Sequence, residues 1–210
     1  MGGAGDAATR NLNYKNARLA RAFLLTTAIQ RSILVGMNEL FIRPVDDADI
    51  PIIVDIYNYY IAATTASFEE VTVNWEEMSR RVEGVTAQRL PWLCAVVEGR
   101  LAGYAYASRW RERSAYRYTA ETTIYLAQAF TGMGIGKTLY STLLEQVRAA
   151  AVHTVMAVIT LPNPASVALH ESLGYRKVGE LNEVGYKFKR WIDVGYWQLL
   201  FKTEIQKENL

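Results

Sequence analysis

The chain has 210 residues and a mass of 23.7 kDa, half of its residues hydrophobic and 21% charged, with a mean hydropathy of −0.01. That composition suits one globular domain with a sizeable core, and it excludes a helical membrane channel and a disordered scaffold, since no run of about 18 uncharged apolar residues occurs. The net charge of +2 divides into +4 on residues 1–36 (Arg10, Lys15, Arg18, Arg21 and Arg31 against Asp6) and −2 on the rest, so the body lacks the broad basic face of a nucleic-acid binder.

Residues 1–36 are Arg-rich and acid-poor, with one apolar patch at Ala22–Ile29. They are expected to be a leader or non-native extension, with one domain over 37–210. Strand-like LFIRPV comes first, then Asp46, Asp47 and Asp49 as N-caps for a helix whose Ile50, Ile53, Val54, Tyr57, Tyr60 and Ile61 recur at helical spacing. Asn74 and Glu77 make a capping-box-like start for a second helix, expected to end by Gly84. WLCAVVE and LAGYAYAS read as a hairpin joined at Gly99 and Arg100. The lone cysteine, Cys94, lies in that apolar run, so neither a disulfide framework nor a cysteine zinc site can form, and a reducing, cytoplasmic compartment is expected.

YTAETTIYL alternates and is rich in β-branched residues, predicting a strand that enters a glycine-rich turn and a helix with Leu139, Tyr140, Leu143, Leu144 and Val147 on its apolar face. VMAVITL predicts another strand, followed by PNPAS and a helix that Gly174 ends. Aromatic strands are expected around KFKRW and VGYWQLLF. Trp191, Tyr196 and Trp197 there read as core or dimer contact, because no stacking pattern with basic residues accompanies them. The class is α+β, a mixed central β-sheet flanked by helices.

Chemistry concentrates in the turn TGMGIGKT, Thr131–Thr138, where glycines permit close backbone approach and a helix start presents free N–H groups to an anion. The GKT ending suggests a P-loop, but its first glycine position is Thr131, the 72 residues after Thr138 leave little room for a nucleotide-binding sheet, and VMAVITL does not end in an acidic residue for magnesium.

Five ordered segments together carry a more specific resemblance: YNYYIAATTASFEE, PWLCAVVEGRLAGYAYASRWRERSAYRYTAETTIYL, the glycine turn, ITLPNPASVALHESLGY and GYKFKRWIDVGYWQLLF. Residues 40–203 resemble a GNAT-family N-acetyltransferase of the phosphinothricin and methionine sulfoximine acetyltransferase branch. The resemblance implies acetyl-CoA as co-substrate, no metal, a small-molecule amine as acceptor, no nucleic-acid or membrane partner, and a homodimer.

Residue by residue, it implies that the turn Thr131, Gly132, Met133, Gly134, Ile135, Gly136, Lys137 and Thr138 binds pyrophosphate, that Ile124, Tyr125 and Leu126 hold the pantetheine arm, and that Asn163 and Ser166 flank the coenzyme. Thr131 departs from the family's basic or amide residue, a charge that Lys137 could supply. Glu121, alone in an uncharged run, matches the glutamate thought to deprotonate the amine. His170 stands where many relatives have a tyrosine that protonates the thiolate, so it is either an acid or a ligand beside the substrate. Arg111 and Arg113 match basic positions of the acceptor pocket, where guanidinium forks suit carboxylate or phosphinate oxygens, and Phe68 and Tyr116 would wall it. An acetyltransferase for another amine and a non-catalytic coenzyme-A-binding regulator are the alternative readings.

Overall fold

A computed structural model describes residues 31–35 and 38–201. An eight-stranded sheet has the spatial order β1-β2-β3-β4-β5-β6-β8-β7, with β1 (Arg31–Val35), β2 (Asn38–Pro44), β3 (Trp92–Val97), β4 (Arg100–Arg109), β5 (Thr119–Leu126), β6 (Thr154–Leu161), β7 (Arg176–Lys187) and β8 (Arg190–Leu200). Every neighbouring pair is antiparallel except β5 and β6. That parallel pair requires a crossover, which α3 (Ile135–Ala149) provides. The backbone of β1 lies within the segment expected as leader; the rest of that segment lies outside the described residues.

Strand alternation sorts the core into two layers. Leu93, Ala95, Ala105, Ala107 and Ala120 face α3, whose Leu139, Tyr140, Leu143 and Val147 are buried against them. Trp92, Cys94 and Tyr104 face the other way, onto α1 (Ile50–Ala63) and α2 (Trp75–Ala87). Small residues on one face let α3 come close, while aromatics on the other fill a wider gap: Trp92 stacks on Tyr106 at 4.2 Å between ring centroids and on Tyr104 at 5.6 Å. The short α4 (Pro164–Ser172) follows β6, and Gly174 beyond it has φ +91°, the left-handed residue expected there.

Three expectations are corrected. The second helix passes Gly84 and runs to Ala87; Gln88 caps it, and Arg89, at φ 59°, turns the chain. At its start Asn74 caps the Glu77 amide at 2.9 Å, but the Glu77 carboxylate takes Arg81 Nε at 2.7 Å instead of closing a capping box. KFKRW is not one strand but the tip of a hairpin: Lys187 ends β7, Arg190 and Trp191 begin β8, and Phe188 and Lys189, at φ 52° and 59°, form the tight turn between them, as Glu98 and Gly99 do between β3 and β4. Trp197 is core, whereas Trp191 is 60% exposed. Among the described residues no helix is long and apolar enough to cross a membrane.

One ion pair fixes α1 to the sheet. Asp46 caps a short 3-10 turn, and the Asp49 carboxylate behind it accepts from Arg43 Nη1 and Nη2 at 2.6 and 2.7 Å and from the Asp46 amide at 2.8 Å. Burial raises the Asp49 pKa, but the Arg43 and Asp46 hydrogen bonds outweigh it and hold the carboxyl below its usual value. Its contribution is therefore present above the unfolded carboxyl's pKa and is lost as pH falls through the lower folded value. Asp49→Ala should cost about 2–3 kcal/mol at neutral pH, read from the urea midpoint, with the difference from wild type shrinking in acid.

Candidate active site

β5 and β6 pair only at Thr119–Glu121 with Thr154–Met156, although β5 continues to Leu126 and β6 to Leu161. Beyond Glu121 the strands separate. Their facing edges open a cleft of about 840 Å³, lined by Glu121 to Leu126 from one side and by Val158, Ile159 and Thr160 from the other. Strand edges without a neighbouring strand present amide donors and acceptors to an extended ligand that carries amides of its own.

The outer end of the cleft is the start of α3. Gly132 and Gly134 have φ +74° and +79°, which an L side chain adopts only with strain, and Gly134 is the N-cap residue. Glycine offers no side chain to cap the helix, and while the Lys137 and Thr138 amides turn back to the Gly134 carbonyl, those of Ile135 and Gly136 are left for an anion, with the Lys137 side chain exposed alongside. The Thr131 hydroxyl donates to the Gln128 carbonyl at 2.9 Å. Across the gap the Asn163 side chain caps α4 through the Ser166 amide at 3.1 Å.

From that end the cleft runs along β5 over the six residues from Leu126 to Glu121, about 17 Å. Two carboxylates line its inner part, and their surroundings separate their roles. Glu69 is held by Arg81 Nη1 and Nη2 at 2.7 and 3.2 Å and by the Tyr57 hydroxyl at 2.9 Å. Glu121 has no hydrogen bond or ion pair to its carboxylate among the described residues. Burial raises its pKa, and the charge of Arg111 opposes the rise only in part. A carboxylate that is available and more basic than usual suits proton abstraction.

His170 is 3% exposed on the cleft wall, with both ring nitrogens engaged. Nδ1 lies 2.7 Å from the Ser166 carbonyl, which can only accept, so Nδ1 carries the proton; Nε2 lies 2.9 Å from the Tyr140 hydroxyl. Tyr140 is 2.7 Å from Thr122 Oγ1, and Thr122 is 2.8 Å from the Tyr175 hydroxyl. Burial pushes the His170 pKa down and favours the neutral ring, and the hydrogen bond to Ser166 offsets that only in part. This buried chain ties α4 to α3, β5 and the residue before β7.

Of the residues singled out in the sequence, the cleft gathers Phe68, Glu121, Ile124, Tyr125, Leu126, Thr131, Gly132, Gly134, Gly136, Lys137, Asn163, Ser166 and His170. Met133, Ile135 and Thr138 do not line it: Met133 is exposed and Ile135 is core. Arg111, Arg113 and Tyr116 are exposed and outside it as well. Arg111 stacks over Trp110 at 4.8 Å, and Arg113 precedes the short 3-10 turn Ser114–Tyr116. Sequence reasoning missed Ser67, Glu69, Tyr106, Thr122 and Thr160 on the lining, and took Tyr57 and Tyr60 for core alone. The Tyr60 hydroxyl donates to the Leu126 carbonyl at 2.7 Å. No group of three or more His, Cys, Asp or Glu side chains placed to hold a metal occurs among the described residues.

The acetyltransferase (GNAT) domain family matches residues 42–195. The chain belongs to the GNAT acetyltransferase family. Among curated GNAT relatives, a phosphinothricin N-acetyltransferase of Streptomyces viridochromogenes is 43% identical over 77% of this chain and 87% of its own length. An L-methionine sulfoximine/L-methionine sulfone acetyltransferase of Salmonella typhimurium is 35% identical over 75% and 92%. A GNAT superfamily phosphinothricin acetyltransferase from Sinorhizobium meliloti, solved in complex with acetyl-CoA, is 36% identical, with a TM-score of 0.75 over 77% of this chain and 88% of that one.

In this GNAT chain, Tyr140→Phe removes the hydroxyl that faces both His170 and Thr122. It should lower folding stability by about 1–3 kcal/mol in a denaturant titration, because buried polar groups lose their partner.

Proposed function

We propose that this protein transfers the acetyl group of acetyl-CoA to the α-amino group of a small amino acid or analogue of the phosphinothricin, methionine sulfoximine or methionine sulfone type. The observation that carries this reading is the available Glu121 carboxylate at the inner end of a cleft whose outer end is a glycine-capped helix start. Phosphate groups match the α3 amides and Lys137, and an extended amide-bearing arm matches the open edges of β5 and β6. Asn163 and Ser166 border the arm.

An amino group is protonated near neutral pH and cannot attack a thioester until it loses that proton. Glu121 accepts it. The amine nitrogen then bonds to the acetyl carbonyl carbon, the carbon–sulfur bond breaks, and the sulfur leaves as thiolate, taking up the second proton that the nitrogen loses as it becomes an amide, so that the products are the N-acetyl amide and the free thiol. Holding both reactants in one cleft supplies much of the acceleration. His170, neutral and engaged at both nitrogens, fixes Ser166 and the start of α4 beside the coenzyme rather than supplying the thiolate's proton. Arg111 and Arg113, outside the cleft, attract the acceptor's anionic group towards the Glu121 end, and Phe68 forms its apolar border.

The protein acts as a homodimer in the cytoplasm. β7 ends the sheet and exposes Val178, Leu181, Val184 and Tyr186, with Trp191 beside them on β8, an apolar strip suited to a second copy. The single buried thiol, Cys94, suits a reducing compartment.

The test is thiol release from acetyl-CoA with phosphinothricin, methionine sulfoximine, methionine sulfone and spermidine. Release is expected with the amino-acid analogues; coenzyme binding with no release from any acceptor favours a non-catalytic regulator. Glu121→Gln should lower turnover by about 10²-fold or more while leaving acetyl-CoA binding by calorimetry unchanged, and unchanged turnover removes Glu121 from the mechanism. Since the carboxylate form is the active one and its pKa is raised, kcat/KM should climb with pH through a value above the ordinary 4.5 of a glutamate and then level off.

A further inference from the structure

Between α1 and α2 the segment Thr64–Asn74 passes over the inner end of the cleft, where Ala66, Ser67, Phe68 and Glu69 line it. Its flanks are fastened to the two helices. Asn58 clamps Val73 through both its amide and its carbonyl at 2.9 Å, and Glu69 is gripped by Arg81 and Tyr57. Phe68 has no such anchor. Its ring is 41% exposed, and what supports it comes from the far end of the chain.

That support is the last hairpin. A Cβ added to Gly185 would stand 2.2 Å from Phe68 Cζ and 2.3 Å from Cε2, so the ring rests directly on the Gly185 backbone. Gly185 is absent from the residues with positive φ, so glycine is required here by space and not by backbone conformation. Two residues on, Lys187 is 2% exposed, and its ammonium donates to the Ser67 carbonyl at 2.6 Å. Burial lowers the Lys187 pKa, while Glu70 and Glu69 work against that shift. The β7–β8 register shifts between Leu181 and Gly185, where Glu183 has φ 52° and its amide donates to Asp193 Oδ1 at 2.7 Å. Upstream of this bulge β7 is exposed at every residue; downstream, Gly185 and Lys187 alternate inward. Bulges re-aim side chains in this way.

We propose that Gly185 and Lys187 are positioning residues that set the acceptor wall of the cleft, Gly185 by seating the Phe68 ring and Lys187 by tethering the Ser67 carbonyl. The proposal rests on the reading that the Glu121 end of the cleft takes the amine. It makes the last hairpin a determinant of which acceptor fits, at a distance in sequence of more than a hundred residues from the wall it supports.

Steady-state kinetics with L-methionine sulfone test it. Gly185→Ala adds a methyl group where the ring now sits, and a half-exposed phenylalanine swings aside rather than unfolding the sheet. The amine KM should rise about tenfold or more, the size of effect that one methylene has in a pocket, with the acetyl-CoA KM within about twofold of wild type. In a Phe68→Ala background the same substitution should change the amine KM by less than about twofold, because the two residues act through one contact. Lys187→Met, which keeps the length but loses the tether, should show the same split between the two KM values, and it carries the test should Gly185→Ala not fold. An unchanged amine KM in Gly185→Ala or Lys187→Met, or a Gly185→Ala effect that persists without the Phe68 ring, overturns the proposal while the functional reading stands. Wild-type protein that releases thiol with no amino-acid acceptor overturns the functional reading and the proposal with it.

Discussion

The separation of β5 from β6 after a few paired residues is the constraint on which the site depends. Parallel strands need a crossover, and here the crossover is α3, packed against the small residues of one sheet face. Its N-terminus therefore emerges where β5 ends, beside the gap. The α4 N-terminus emerges across that gap at the end of β6. One divergence thus yields two open strand edges, two helix starts and, at the last paired position of β5, the Glu121 carboxylate. Continued pairing of β5 and β6 would fill the gap with backbone hydrogen bonds and leave Glu121 at the surface of an ordinary sheet.

The gap is held open by polar contacts that reach across elements. His170, Tyr140, Thr122 and Tyr175 form a buried chain from α4 through α3 to β5 and to the residue before β7, and the Tyr60 hydroxyl holds the last carbonyl of β5 from the other side. Buried hydroxyls without such partners would be costly, so this set of contacts favours one spacing of the walls over others. The acceptor end is built differently. There, charged groups neutralise one another, as Glu69 does with Arg81, and this leaves Glu121 as the carboxylate able to take up a proton.

The order of strands and helices was legible because each element has a clear period or cap: Asn74, the glycines before Ile135, Asn163 and Gly174 all do what their positions suggest. The turn at Phe188 and Lys189 was not, because neither residue is a usual carrier of positive φ, and aromatic flanks read as one strand. The inner wall was also hidden. Glu69 finds Arg81 twelve residues away and Ser67 finds Lys187 a hundred and twenty away, contacts that only the folded sheet creates. Periodicity placed Tyr57 and Tyr60 on a buried face, which is correct for their rings and silent about their hydroxyls. Arg111, Arg113 and Tyr116 were reached through resemblance; the fold puts them on an exposed turn outside the cleft, with Arg111 near enough for its charge to act on Glu121.

Amide hydrogen exchange with and without acetyl-CoA, resolved to short peptides, tests the central role of the strand separation most directly. The account expects slowed exchange in two places, along Thr122–Leu126 of β5 and in the first turn of α3, because an extended arm pairs with the strand edge while phosphates occupy the helix amides. Protection confined to the start of α3, with Thr122–Leu126 exchanging as in the free protein, would contradict it and leave the gap between β5 and β6 without the role assigned to it.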